Sequence, residues 1–205
     1  MGSEPVAAPR RRSPARKQQI LVAAANLFAQ RGFHAVSMED IGAEVGITAS
    51  AIYRHYDSKP AVLVAMFDRV IDRLLSEGQL VAADTGADPR ASLAQLVDGQ
   101  ISFVVDDRDV AQVYFREIAN LPTADQRNLR RKQRLYLEEW VHLLTELRPE
   151  LADLTARTLV HCAIGAIQST LQHVAGLPAD ELRAVLRGAA HAVLTDGVHP
   201  AGKQV

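Results

Sequence analysis

The sequence predicts an all-α fold, with an N-terminal three-helix domain and a C-terminal helical bundle, about nine helices in total. Three observations favour this fold. Apolar residues recur at the three- and four-residue spacing of a helix face, and the sequence contains no alternating β-branched run of strand length. Hydrophobic residues make up 48% of the 205 residues, which is enough for a core. Prolines stand at or near the starts of helical segments, where a missing N–H costs least, at Pro14, Pro60, Pro89, Pro122, Pro149 and Pro178.

The predicted helices differ in length along the chain. Apolar faces such as Ile20, Ala24, Leu27 and Phe28 in the first helix locate the segments. Short helices precede residue 56 and long helices follow it, which predicts domains at 13–58 and 59–198. Residues 1–12 have no apolar face and are expected to form a disordered basic tail. The predicted helices span 14–31, 38–45, 49–55, 59–83, 89–105, 108–119, 123–147, 150–175 and 179–196.

Charge is distributed unevenly along the chain, although the formal net charge is only -1. Residues 1–59 carry 8 basic and 5 acidic side chains, whereas residues 60–205 carry 15 basic and 19 acidic ones. A basic first quarter indicates a polyanionic partner for that part of the chain. The single cysteine, Cys162, excludes an intramolecular disulfide and fits a reducing compartment. Because a signal peptide and an apolar run of about 20 residues are both missing, we expect a cytoplasmic, soluble protein that does not enter a membrane.

Residues 37–55 follow the pattern of a helix-turn-helix unit. Ser37 precedes a short amphipathic helix, and Gly46 supplies the positive φ that a tight turn requires. Thr48 then caps a second short helix that begins with small side chains. The second helix of such a unit places its N-terminal residues against base edges in the major groove of DNA.

Residues 14–67 resemble the DNA-binding domain of the TetR family of one-component transcriptional regulators. Departures from the family pattern are mild: Gly42 stands where alanine is usual and is expected to loosen the second helix slightly, and Val45, Tyr56 and Pro60 also differ. The resemblance is carried by Gly32-Phe33 after the first helix, Ser37 before the second, Val45-Gly46-Ile47-Thr48 in the turn, and Ile52-Tyr53-Arg54-His55-Tyr56 with Ser58-Lys59 after it.

The resemblance implies DNA contacts for seven residues. Ser37, Tyr53 and Lys59 match positions that touch phosphates, and His55 is expected to add a further backbone contact. Thr48, Ala49 and Ser50 begin the recognition helix and are expected to reach base edges. The Arg10–Arg12 run, with Arg16 and Lys17, either adds phosphate or minor-groove contacts or is a solvated tail. Folding alone explains four further apolar positions, Ile41, Ile47, Ile52 and Tyr56.

For the rest of the chain, the resemblance implies a ligand-binding and dimerisation domain. Helices 150–175 and 179–196 are expected to pair with those of a second copy, so that a two-fold homodimer reads a palindromic operator. Helix 59–83 is expected to transmit the effect of the ligand to the DNA-binding domain. Small residues that permit close helix packing are Ala163, Gly165, Ala166, Gly188, Ala189 and Ala190.

A small apolar effector is expected to bind among the helices of 89–175, although core packing is the alternative for each candidate residue. The basic run from Arg127 to Arg134 is either a solvated helix face or an anion-attracting surface, which would suit an acyl-CoA-like effector. The candidate effector-binding residues are Phe103, Tyr114, Phe115, Tyr136, Trp140, Leu144, His161, Cys162 and Gln168.

We therefore expect a ligand-responsive repressor that is released from its operator by the effector, with no cofactor, no metal site and no enzymatic activity. The first alternative is a helical adaptor with a vestigial helix-turn-helix; against it, Tyr53 and Lys59 are poorly explained by folding alone. The second is a small helical enzyme. His161 and Cys162 are neighbours on a helix, so their side chains point about 100° apart and form a poor nucleophile and base pair. No compact metal-ligand spacing occurs among His142, His173, His191 and His199.

Overall fold

The computed structural model describes residues 14–83, 88–172 and 176–196. Within these ranges the chain forms nine α-helices and no strand, which confirms the predicted all-α fold. No helix of the described part combines the length and apolar character needed to cross a membrane. The Arg10–Arg12 tail lies outside the described residues. The helices are α1 (Pro14–Arg31), α2 (Met38–Glu44), α3 (Ala49–Tyr53), α4 (Lys59–Ala83), α5 (Pro89–Val105), α6 (Arg108–Glu117), α7 (Thr123–Leu147), α8 (Asp153–Gln168) and α9 (Ala179–His191).

Helices α1, α4, α5 and α7 have the predicted bounds, whereas α8 is shorter than predicted at both ends. At its start, the Leu151 N–H donates to the Arg148 carbonyl at 3.1 Å, so this segment forms a turn. At its end, the chain tightens into a 3₁₀ turn over Ser169–Leu171. Helices α2, α3 and α6 end one or two residues early, and α9 continues as a π-helical turn over Ala192–Asp196.

The chain divides into two compact units, with the boundary between Met66 and Phe67, inside α4. The first unit contains α1, α2, α3 and the start of α4. Its predicted core residues Ile41, Ile52 and Tyr56 are buried. Ile47 was expected to point inward but is only half-buried, because it lies in the turn between α2 and α3.

The second unit packs α5, α7, α8 and α9 around one apolar core. Trp140 and Leu144 of α7 and Val160 of α8 are fully buried in it. The side chain of Arg148, which follows α7, is also buried. Its guanidinium donates to the Leu194 carbonyl at 3.2 Å and pairs with Glu150 at 2.9 Å, so it ties the end of α7 to the chain after α9.

Two glycines shape the turn that positions α3. Gly46 has a φ of +67°, as predicted for a tight turn. Gly42 lies so close to the turn that a Cβ on it would stand 2.6 Å from the Ile47 carbonyl oxygen. The Ile47 N–H also donates to the Gly42 carbonyl at 2.9 Å. The absence of a side chain at Gly42 thus leaves room for the turn, a role that the sequence analysis did not foresee. The expected loosening of α2 stays a prediction.

Candidate nucleic-acid interface and effector cavity

The start of α3 presents small polar side chains to solvent. Thr48 is the N-cap, and its side-chain oxygen accepts the Ala51 N–H at 3.3 Å. Thr48 and Ser50 are exposed, and Ala49 is half-buried. The capped first turn therefore leaves a face with hydroxyl and methyl groups, which can hydrogen-bond base edges or contact a thymine methyl.

Ser37 begins α2 through a reciprocal capping box. Its hydroxyl donates to the Asp40 carboxylate at 2.8 Å and accepts the Asp40 N–H at 3.1 Å, while its own N–H donates to the same carboxylate at 2.8 Å. The backbone and side-chain donors of Ser37 hold the pKa of Asp40 below its usual range. The side chain of Ser37 thus has a structural role in addition to its predicted contact with a phosphate.

Lys59 ties the start of α4 to the segment between α1 and α2. Its ammonium donates to the carbonyls of Phe33 at 2.7 Å, His34 at 3.3 Å and Val36 at 2.7 Å, and lies 4.6 Å from the centre of the Phe33 ring. Three carbonyls match the three donors of an ammonium group. The argument that Lys59 is poorly explained by folding was therefore wrong, and its contact with a phosphate stays a prediction.

Tyr53 shares an open surface hollow with Ser37 and Lys59, so the structure brings the three predicted phosphate contacts together. Tyr53 is 49% exposed and His55 is half-buried. Glu39 and Asp57, which the sequence analysis did not single out, also line the hollow. Their carboxylates oppose the approach of a phosphate, and this proximity arises from the folding of α2 against the chain after α3.

Two further basic residues of the first unit are engaged within it. The Arg16 guanidinium donates to the Val45 carbonyl at 3.4 Å. The Lys17 ammonium lies 5.7 Å from the centre of the Tyr56 ring. Both residues therefore support the helix-turn-helix unit, whatever they contribute to DNA binding.

We expect Lys59→Met to lower the free energy of unfolding by about 1–3 kcal/mol, because three backbone carbonyls lose a charged donor. Lys17→Met is the matched control: it removes the same charge but only a weak contact with a ring, and about 0.5–1 kcal/mol is expected. Denaturant unfolding of the two variants measures the difference. A Lys59→Met protein with unchanged stability would contradict the structural role.

The second unit contains a cavity of about 420 Å³ among α4, α5, α6, α7 and α8. Most of its wall is aliphatic or aromatic, as suits an apolar ligand. Six of the nine predicted effector-binding residues line it: Phe103, Tyr114, Phe115, Tyr136, His161 and Gln168.

Trp140, Leu144 and Cys162 lie outside this lining. Trp140 and Leu144 follow Tyr136 along α7 but are fully buried in the core, where Trp140 meets the edge of the Tyr136 ring at 6.0 Å between centroids. Cys162 is exposed and points about 100° around α8 from His161. The sequence analysis missed Val70, Ile71 and Leu74 of α4, whose helical spacing was the available signal, together with Gln100, Val110, Gln133, Leu137 and Ile164. Arg130 and Arg134, which it named as members of the basic run, also line the cavity.

The basic residues of α7 lie in different surroundings. Arg130 and Arg134 line the cavity. Lys132 faces another way and pairs with Asp68 and Asp72 of α4 at 2.6 and 2.7 Å. Arg127 and Arg131 are exposed, as the solvated-face interpretation expects. The anion-attracting hypothesis therefore applies to Arg130 and Arg134 alone.

Helices α8 and α9 carry exposed apolar side chains. Leu154 is 78% exposed and Val185 is 56% exposed. Of the small residues predicted to permit close packing, Gly165, Gly188 and Ala189 are exposed, and Ala166 is half-buried. Ala163 and Ala190 are instead fully buried in the core of this unit. Among the described residues, no group of three or more His, Cys, Asp or Glu is placed to hold a metal ion.

Two family models match the chain. Residues 20–66 match the model described as bacterial regulatory proteins of the tetR family, and residues 86–173 match the tetracyclin repressor-like C-terminal domain. The transcriptional activator FasR of Mycolicibacterium smegmatis is 32% identical over 100 residues, which cover 49% of this chain and 45% of FasR. The transcriptional repressor KstR2 of Rhodococcus jostii is 30% identical over 106 residues, which cover 52% of each chain. The match thus spans about half the length of these two relatives.

Solved structures share the fold over most of the chain. A TetR-family regulator from Bordetella parapertussis superposes with a TM-score of 0.77 at 24% identity, covering 92% of this chain and all of that one. FadR of Bacillus subtilis, solved in complex with stearoyl-CoA, superposes with a TM-score of 0.72 at 18% identity, covering 89% of this chain and 99% of that one. FasR, KstR2 and the Bordetella protein are all named as transcriptional regulators. With its capped helix-turn-helix and its helical second unit, the chain belongs to the TetR family of bacterial transcriptional regulators.

Proposed function

We propose that the protein is a ligand-responsive regulator that binds a DNA operator through the start of α3. The observation that carries this proposal is the exposed first turn of α3, where Thr48 and Ser50 face solvent from a helix that is firmly capped. A recognition helix reads base edges with the side chains of its N-terminal turn. Tyr53, beside this turn, is the candidate for positioning the helix on the phosphate backbone.

We propose that two copies associate through the exposed apolar face of α8 and α9. The large exposed side chains Leu154 and Val185 and the small exposed residues Gly165 and Gly188 suit close helix packing against an identical face. A two-fold dimer presents two recognition helices to successive major grooves, with half-sites about 34–36 Å apart or a multiple of that distance.

The effector proposed for the cavity has an apolar body. Phe103, Phe115 and Leu137 supply the apolar wall, and FadR, whose structure was solved with stearoyl-CoA, shows that this fold accommodates an acyl thioester in that protein. We propose that effector binding releases the operator, so that the protein acts as a repressor. Of the two relatives, FasR is named an activator and KstR2 a repressor, so the family includes both directions of regulation.

Helix α4 is the proposed link between effector and DNA. Its residues Val70, Ile71 and Leu74 line the cavity, and the same helix begins at Lys59, which belongs to the first unit. A ligand that favours a different position of α4 weakens operator binding, and by linkage the operator weakens ligand binding by the same factor. Structures with and without effector that place the two recognition helices of the dimer at the same separation would contradict this coupling.

The experiment is a gel shift on DNA upstream of the protein's own gene, with the wild type and Ser50→Glu. We expect a specific, salt-sensitive shift for the wild type and an affinity at least about tenfold lower for the variant. Glutamate in the first turn of a helix is favourable for folding, so the loss is not attributable to unfolding. Ser76→Glu, at an exposed position of α4, is the matched control and is expected to bind DNA normally. A wild type without a specific, salt-sensitive shift would favour the adaptor alternative.

A further inference from the structure

A buried tyrosine lines the proposed effector cavity. Tyr114 is only 6% exposed, yet its hydroxyl has no hydrogen-bond partner among the residues that the structure describes. Burial raises the pKa of Tyr114, and the nearby Gln133 side chain opposes this rise without reaching hydrogen-bonding geometry. The hydroxyl therefore stays protonated and is available as a donor at the cavity wall.

Positively charged side chains also line the cavity. Arg130, Gln133 and Arg134 are three and four residues apart on α7, so they share one face of that helix and all line the cavity. The positive charge of Arg130 acts on the Tyr114 hydroxyl. Within the described ranges, neither arginine forms an ion pair with a carboxylate; Arg130 donates to the Gln126 side-chain carbonyl at 3.2 Å. Both guanidinium groups are thus available to an anion.

We propose that Tyr114 is the polar anchor of the effector, donating to the carbonyl or carboxylate oxygen at the head of an acyl ligand, while Arg130 and Arg134 bind its negative charge. The acyl chain then lies against the apolar wall that contains Leu74 and Ile164. This inference rests on the proposed function and names the chemistry of its effector. A fatty carboxylate and an acyl-CoA both offer an oxygen acceptor and negative charge: the carboxylate carries the charge on its head oxygens, and the acyl-CoA carries it on the phosphates beyond its neutral thioester carbonyl.

The position of Tyr114 also gives the ligand a contact with α4. Its ring packs edge-on against Phe67 at 4.8 Å between centroids, and Phe67 is fully buried. Phe67 is the first residue of α4 after the unit boundary. A ligand that draws the Tyr114 hydroxyl toward itself therefore acts directly on the helix that we propose as the link.

The test is calorimetric titration of the full chain with four probes of one chain length: dodecanoate, dodecanoyl-CoA, dodecanol and dodecyltrimethylammonium. We expect dodecanoate or dodecanoyl-CoA to bind at least about tenfold more tightly than dodecanol, because dodecanol lacks the negative charge that the arginines would bind. The cation is expected not to bind. Whichever acyl probe binds more tightly identifies the source of the acyl group.

Tyr114→Phe separates ligand anchoring from a structural role. We expect its affinity for the acyl probe to fall by about five- to tenfold, with no loss in melting temperature, because the variant removes a buried hydroxyl that has no partner. The matched control is Thr170→Val, which removes another buried hydroxyl, bonded to the Ile167 carbonyl at 3.2 Å, outside the cavity lining. This control is expected to lower the melting temperature and to leave probe affinity unchanged.

Several results would overturn the proposal: wild-type affinity in Tyr114→Phe, a lower melting temperature for this variant, equal binding of the cationic probe, or binding of no probe. Calorimetry uses no DNA, so these failures are distinct from failure of the gel shift. A protein that binds its operator but none of the probes would keep the proposed regulator and lose the acyl effector.

Discussion

Gly42→Ala is expected to lower the free energy of unfolding of the helix-turn-helix unit and to weaken specific operator binding. The added Cβ would stand 2.6 Å from the Ile47 carbonyl oxygen and 3.3 Å from the Ala49 nitrogen, both of which are backbone atoms. Backbone atoms in a tight turn cannot rotate away as a flexible side chain can, so the turn itself must shift. Overpacking of this kind costs about 1–3 kcal/mol, and it moves the start of α3, where we place the base contacts.

Gly99→Ala is the matched control for this substitution. Gly99 also lies within a helix, but its Cβ would meet only the Glu77 carboxylate, at 4.0 Å. Alanine there is expected to be neutral or to stabilise the protein by about 0.5–1 kcal/mol. Thermal unfolding followed by circular dichroism, together with the gel shift, measures both variants. If Gly42→Ala retained wild-type stability and operator affinity, the close approach of α2 to the turn would not contribute to the stability of the unit, and the prediction would be contradicted.

The double variant Leu154→Arg with Val185→Arg is expected to be a folded monomer that binds its operator on the order of 100-fold more weakly, since it removes apolar contacts worth about 1.5–3 kcal/mol per side chain. Both side chains are exposed in the single chain, so arginine at these positions leaves its core intact. In the proposed dimer each position occurs twice, and the substitutions bring like charges together across the two-fold axis. A monomer holds a single recognition helix and loses the second half-site.

Leu80→Arg controls for the loss of an exposed leucine. Leu80 is 74% exposed on α4, which is not one of the two helices of the proposed interface, and this variant is expected to remain dimeric. Analytical ultracentrifugation gives the oligomeric state, and the gel shift gives operator affinity. A double variant that sediments as a dimer and binds DNA normally would contradict this interface.

The helix-turn-helix unit was largely predictable, because the interactions that form it are local in the sequence. Ser37 and Thr48 cap helices through bonds to the backbone three residues later, and Gly46 sets a turn through its own φ. Such interactions depend on neighbouring residues along the chain, which the sequence displays directly. The same reason explains the start of α5, where the Asp88 side chain accepts the Arg90 N–H at 3.1 Å ahead of Pro89.

The lining of the cavity in the second unit was predicted only in part, because the residues of its wall come from five helices. Tyr136 and Trp140 are four residues apart on α7, and their spacing predicted the same environment for both side chains. Tyr136 lines the cavity, whereas Trp140 is fully buried in the core. Which side of an apolar helix face borders an empty space depends on the packing of the neighbouring helices. That information is absent from the spacing of one segment.

The sequence by itself determined the class of protein: an all-α regulator with a helix-turn-helix, recognisable from Ser37, Gly46 and Thr48, whose roles arise within a few residues of chain. The tertiary structure alone decided the roles of Gly42, Lys59 and Tyr114, since each depends on distant backbone or on a cavity wall. Gly42 makes room for a turn, Lys59 binds three carbonyls, and the buried Tyr114 hydroxyl lacks a partner among the described residues. Contacts between residues far apart in the chain exist only after folding, which is why these roles could not be predicted from residue type and spacing.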